Sequence, residues 1–191
     1  NGAIVAATVL GISTGGAGDG VQVENADATV TVTNSDLSSN GGHGIEVAGG
    51  TLTLAQNNCL ANNTMDGVTV HSGGVVGAVL NNDISGNATG FSNSTGVDAN
   101  ASGNWWGGNM PATVSAEVTA NVDYTPWLAV GTDTSPGCAN GFQGDFSTLH
   151  VDDDSPQTGA AGRIQEGIDL VTASTVIVEP GTYLESDINV N

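Results

Sequence analysis

The sequence predicts an all-β solenoid of short parallel strands, about 23 residues to the turn, on three observations. A glycine-led motif, Gly20-Val21-Gln22-Val23, returns as Gly44-Ile45-Glu46-Val47, as Gly67-Val68-Thr69-Val70 and as Gly90-Phe91, at spacings of 24, 23 and 23. An asparagine register runs in parallel: Asn34-Ser35-Asp36-Leu37, Asn57-Asn58-Cys59-Leu60 and Asn81-Asn82-Asp83-Ile84, followed by Asn40, Asn63 and Asn87. Between these, aliphatic residues sit in short runs bounded by Gly or Asn, such as Val30 with Val32 and Leu52 with Leu54. That is strand patterning without a helical period.

One repeat accommodates one coil, because three strands of four to six residues plus three tight corners use about 20 to 24 residues. Each strand then pairs with its copy about 4.8 Å away, and inward Val, Ile and Leu stack into columns. Gly and Asn suit the corners because they accept positive φ at small cost, and aligned Asn side chains can bond to the coils above and below. The Asn columns are therefore expected to be structural.

Composition agrees and excludes several functions. Of 191 residues only one is basic, Arg163, against 20 acidic ones, for a net charge of −19; aromatic residues make up 4% and Gly supplies 29. A surface this negative repels phosphate backbones and anionic headgroups, so neither nucleic-acid binding nor electrostatic membrane docking is expected. No apolar run reaches 18 residues, and no membrane insertion is expected. The chain has no initiator Met and no charged n-region with an apolar h-region, so it reads as a processed form or an excised piece.

Three segments resemble parts of the right-handed parallel β-helix proteins of the pectate-lyase-like superfamily, in particular repeat-built surface proteins. Gly103-Asn104-Trp105-Trp106-Gly107-Gly108 is similar to a closing motif of these helices, and Asn121-Val122-Asp123-Tyr124-Thr125-Pro126-Trp127-Leu128 to the segment after it. Arg163 to Asp169, followed by Thr175 to Glu185 with its Pro180-Gly181-Thr182-Tyr183 corner, resembles the opening: a capping helix and the first strands. The resemblance implies a right-handed parallel β-helix with one short capping α-helix, expected over about Ala160–Val171 with Ile164, Ile168 and Val171 as its apolar stripe. It implies little about function, since this scaffold hosts lyases, hydrolases, adhesins and inert surface proteins alike.

The opening motif follows the closing one in this chain. Residues 1–128 therefore read as the later coils and closing segment of one β-helix, 129–146 as a linker or irregular loop, and 147–191 as the capping helix and first coils of another. Ser186 to Asn191 running into Gly2 to Ala7 would continue strand into strand. Complementary ragged ends invite head-to-tail contact, and a contact that does not close on itself generates a filament. The expected assembly and capping residues are Ile164, Ile168, Val171, Val176, Val178, Tyr183, Ile188 and Val190 on one side and Ile4 and Val5 on the other. The expected function is that of an extracellular structural subunit, whose partner is a second copy of itself. The alternative is a carbohydrate-binding or adhesive module of a longer tandem-repeat surface protein.

Catalysis is not expected. A lyase on this scaffold needs basic residues to take a proton and neutralise a uronate, and only Arg163 is present. Gly42-His43-Gly44 is similar to a hydrolase motif, but the paired acids that should accompany it are missing, and Gly44 already belongs to the repeat. His43, His71 and His150 are too far apart in sequence for a short-spaced metal motif and are expected on the surface. Asp152-Asp153-Asp154 reads as a solvated acidic turn, with Ca²⁺ as the alternative, so no cofactor is expected. Of the closing-motif residues Asn104, Trp105, Trp106, Gly107 and Trp127, adjacent Trp105 and Trp106 must point to opposite faces of a strand. One should plug the aliphatic column, although a sugar-stacking platform is the rival reading.

Cys59 and Cys138 are a disulfide candidate if residues 129–146 fold back along the wall; two separate thiols are the alternative. Asn62, Asn87, Asn93 and Asn100 begin glycosylation triplets and are expected on accessible turns.

Overall fold

A computed structural model describes residues 5–12, 14–172 and 175–190, and the side chains of Val5 and Ala6 lie outside the description. Ile4 and Asn191, which carry part of the expected end-to-end contact, also fall outside the described residues.

The repeats form coils. Strands β1 (Val5–Leu10), β3 (Ala28–Thr33), β5 (Gly50–Gln56), β7 (Gly74–Leu80), β9 (Ala99–Asn100) and β10 (Val122–Asp123) make one parallel sheet in that order. Strands β2 (Val21–Val23), β4 (Ile45–Val47), β6 (Val68–Val70) and β8 (Phe91–Asn93) make a second. The third wall is a ladder of single parallel bridges, Asp36 to Cys59 to Asp83 to Trp105. Inward Val32, Ala55 and Val79 stack in one column and Ile45, Val68 and Phe91 in another, all with 0% exposure.

The asparagine registers do what their alignment suggested. Asn58 Nδ2 donates to Asn82 Oδ1 at 3.0 Å, and Asn82 Nδ2 to Asn104 Oδ1 at 3.0 Å. At the outer corner Asn34, Asn57 and Asn81 take φ of 49°, 59° and 52°, and their amides again bond coil to coil. Gly44 recurs for a different reason: a Cβ there would lie 2.6 Å from the carbonyl oxygen of Gly67 in the next coil.

The closing end is sealed by Trp106, Tyr124 and Trp127, together with Val114 of a helix the repeat pattern does not show, α1 (Pro111–Ala116). Six residues opened by a proline are too few to display a helical period. Residues 129–146 have no long regular element and run along the outside of the third wall. Phe142 N–H donates to Asn57 O, Gly144 N–H to Asn81 Oδ1, and Cys138 is disulfide-bonded to Cys59. Strand β11 (Trp127–Leu128) then pairs antiparallel with β12 (Thr148–Val151), which pairs in parallel with β13 (Thr175–Val178).

Helix α2 (Arg163–Leu170) connects β12 to β13 and lies on them through Gly167, where a Cβ would be 2.8 Å from Val151 Cγ2 and 3.1 Å from Val176 Cγ1. It lies within the expected span and covers strands of its own stack. The expected strand over Ser186–Asn191 is not formed by its described residues. Instead Glu185 accepts N–H bonds from Ile164 and Gln165 at 2.9 and 3.2 Å, and Asn189 N–H donates to Gln165 Oε1. A carboxylate satisfying the orphan N–H groups of a helix start outweighs the gain from an unpaired strand.

Candidate functional site

Three surfaces are candidates for function: the first edge of the stack, the last edge, and the walls between them. At the first edge β1 has no strand on its outer side among the described residues, and it exposes Leu10 to 62%. Beside it a groove of about 330 Å³ opens over Val23, Ala28 and Val30. At the last edge β13 is likewise paired on one side only and exposes Ile177 and Val178.

The expected capping residues divide into two groups. Ile164, Ile168, Val171 and Val176 are half-buried inside the α2 and β12 packing, with Val171 against the cluster of Leu128, Phe142 and Leu149. Val178, Ile188 and Val190 are exposed. Tyr183 is held by its hydroxyl, which donates to Val151 O and Glu179 O; burial and nearby Asp152, Asp153 and Glu179 push it up to about 12. Val5 lies in β1, opposite Ala28.

The closing motif is structural. Trp106 and Trp127 are 1% and 0% exposed, which removes both from any sugar platform, while Trp105 turns outward against the disulfide-bearing cluster and Gly131. Asn104 terminates the inner ladder with bonds to Val79 O and Ala101 O. Gly107 sits at φ 87°, a left-handed corner that favours glycine.

Two of the three histidines are not on the surface. His43 is buried, its Nδ1 accepting the Asp66 N–H at 3.1 Å, so the hydrolase-like triplet spends its ring on a corner. His150 is buried by register: it lies opposite Trp127, stacks on it at 5.4 Å, and places Nδ1 2.6 Å from Glu179 Oε1. His71 is exposed and bonds Glu46 at 3.0 Å. Burial works against the Glu46 charge, but hydrogen bonds from Gln22 and His71 with the charges of His71 and His43 hold it below its usual range.

Two of the four glycosylation candidates have their amides engaged in the folded chain. Asn87, half-exposed, donates Nδ2 to Leu60 O and Ile84 O, and buried Asn93 donates Nδ2 to Val97 O and Asn121 O. Asn62 is exposed, and Asn100 is half-exposed with its Oδ1 taken by Ser102.

The densest polar site lies where residues 152–166 cover β10. Asp123 is sealed from solvent, accepting the Thr158 N–H at 2.6 Å, the Thr158 hydroxyl at 2.7 Å and the Ser155 hydroxyl at 3.3 Å. Burial, with help from Glu166, lifts it to about 6. Arg163 donates Nη2 to Ser155 O, and Ser102 and Gln157 both donate to Glu166. The one basic side chain is thus committed to the fold. Asp152, Asp153 and Asp154 bring carboxylate oxygens within 4.8 Å of one another; burial raises the pKa of Asp152. Asp153 also accepts the Thr182 N–H.

A cleft of about 360 Å³ between α2 and the wall is lined by Gln56, Asn81, Asn100, Ser102 and Glu166 over Phe146. No helix among the described residues is long and apolar enough to cross a membrane.

Comparison with known proteins agrees with the coil geometry. No curated protein and no solved structure gave a match. A family described as "right handed beta helix region" matches residues 13–109, just over half of the 191, and covers the coils from before β2 to the closing motif. The scaffold itself occurs in enzymes and structural proteins alike. By fold, repeat and match, the chain belongs to the right-handed β-helix family.

Proposed function

We propose that the protein is a structural element outside the cell, built to stack end to end with a second copy of itself. The observation that carries this is the pair of parallel strands that, among the described residues, are paired on one side only, β1 with exposed Leu10 and β13 with exposed Ile177 and Val178. Such edges pair readily with further strands. Registering β13 of one copy on β1 of the next would bury both and continue the columns, and the repetition of that contact makes a fibre. The Cys59–Cys138 disulfide favours an oxidising compartment. A non-catalytic role is supported by Arg163, whose guanidinium is spent on Ser155 O.

Light scattering and negative-stain electron microscopy test the reading. The chain should form filaments whose length grows with concentration, and Ile177→Lys, which charges the exposed edge, should abolish that growth. A wild-type chain that stays a compact monomer at every concentration overturns it.

A second reading rests on the cleft over Phe146, whose amides, hydroxyl and carboxylate suit the hydroxyls of a neutral saccharide. Retention on polysaccharide that is lost in Phe146→Ala, with the melting temperature unchanged, would favour it over stacking.

A further inference from the structure

The outer face of the six-stranded sheet is set apart by charge. None of the 20 acidic residues lies in β1, β3, β5, β7 or β9. The second sheet, by contrast, presents Glu46, and the bridged ladder carries Asp36 and Asp83. Register places Thr8, Thr31, Leu54 and Ala78 side by side across four strands of the uncharged face, with Thr29, Thr51 and Val75 in the neighbouring row. Both rows are exposed or half-exposed, Val75 to 56%. Where the first row reaches Asn100 and then Asp123, the chain folds residues 155–158 over that acid and seals it. So among the described residues no strand position of this face from β1 to β9 carries a charge; the nearest acids, exposed Asp98 just before β9 and Glu166 over the cleft by Asn100, lie at its β9–β10 end.

We propose that this face packs against the same face of a second copy, side by side rather than end to end. The occupant follows from charge. Two chains of −19 repel wherever their acids meet, and this wall is where they can approach without placing like charges opposite each other. A cationic partner would gain nothing here and much on the other walls. Flat sheets pack face to face at about 10 Å, with Thr, Val and Leu interdigitating.

Area sets the strength. Four strands about 4.8 Å apart and about 20 Å long give roughly 400 Å² per copy, or about 800 Å² in total, at the weak end of specific interfaces. A single pair is therefore short-lived. In the end-to-end stack proposed above the face repeats along the fibre, and the many weak contacts add; in that respect alone the inference rests on the stacking reading.

Thr31→Glu and Thr53→Glu place a carboxylate on the face without touching either edge, and circular dichroism and melting check that the fold survives. Electron microscopy of assembled wild type should show filaments joined side by side, and the variants should show single filaments. Sedimentation equilibrium of Ile177→Lys, which lacks end-to-end growth, should show a weak dimer. Adding Thr31→Glu should weaken it about tenfold or more at low salt, with part of the loss recovered at high salt. Variants that bundle like wild type overturn the inference while leaving stacking intact. An Ile177→Lys chain with no dimer at any concentration overturns it, and so does one that binds insoluble neutral polysaccharide through this face in place of itself.

Discussion

Asn82 shows what one side chain contributes in a stack. Its Oδ1 accepts both the backbone N–H and Nδ2 of Asn58, at 2.9 and 3.0 Å, and its own amide reaches Asn104, Ala55 and Leu80. Nearly all of these groups are buried, so Asn82→Ala leaves two Asn58 donors without their shared acceptor and takes a donor from Asn104, Ala55 and Leu80. We expect a loss of about 3 kcal/mol in chemical unfolding. A loss under about 0.5 kcal/mol would show that the ladder is ornamental. Asp123 gives a residue-scale prediction in pH. Its folded value of about 6 lies above its unfolded value, so the native state holds the proton more tightly. Stability from this group is complete below pH 3.8 and is lost as pH rises toward 6, a change of up to about 3 kcal/mol. Urea unfolding at pH 4.5 and 7.5 should show wild type losing stability between the two, and Asp123→Asn should flatten that difference.

At the scale of elements, α2 and the strap over residues 129–146 are the parts that packing places. Helix α2 can approach β12 and β13 only because position 167 has no side chain. Gly167→Leu should lift the helix off Val151 and Val176 and cost about 2 kcal/mol or more, read as a lower melting temperature and earlier hydrogen exchange in Arg163–Leu170. The strap is held by two of its N–H groups, which donate to Asn57 O and to Asn81 Oδ1 at the asparagine corner, and by the disulfide across 79 residues. Chain-entropy reasoning gives that link about 4 kcal/mol. Non-reducing mass spectrometry should find the Cys59–Cys138 peptide pair, and reductant should lower the melting temperature. Equal melting with and without reductant would show that the strap holds without it.

Across the whole molecule the shortage of basic residues becomes a prediction about proteolysis. Trypsin has a single site, Arg163, and that side chain is half-buried with its guanidinium on Ser155 O. The native chain should resist trypsin for hours and be cut once, after residue 163, only as it unfolds. Rapid native cleavage would mean that the cover over β10 opens freely. The same shortage concentrates repulsion among like charges, so moderate salt should raise the melting temperature.

The coil was legible in the sequence because a solenoid is a one-dimensional pattern: each residue meets its copy about 23 positions on, so repeats in the chain are contacts in space. The aliphatic columns and the asparagine ladders follow from that periodicity, whereas which of Trp105 and Trp106 is buried, and the pairing of Cys59 with Cys138, were settled by how residues 105–146 pack. What repeats nowhere had no such signal. The burial of His150 depends on β12 returning antiparallel beside Trp127; the burial of Asp123 depends on residues 155–158 crossing β10; and Glu185 turns back to cap α2 rather than extend a strand. Asn87 and Asn93 look like acceptors in sequence and are ladder donors in the fold. The sequence by itself determined the coil, its core and its charge. Only the tertiary structure decided which strands are paired on one side alone among the described residues and how the acids near the six-stranded sheet are covered, because both depend on where non-repeating segments fold back across the stack.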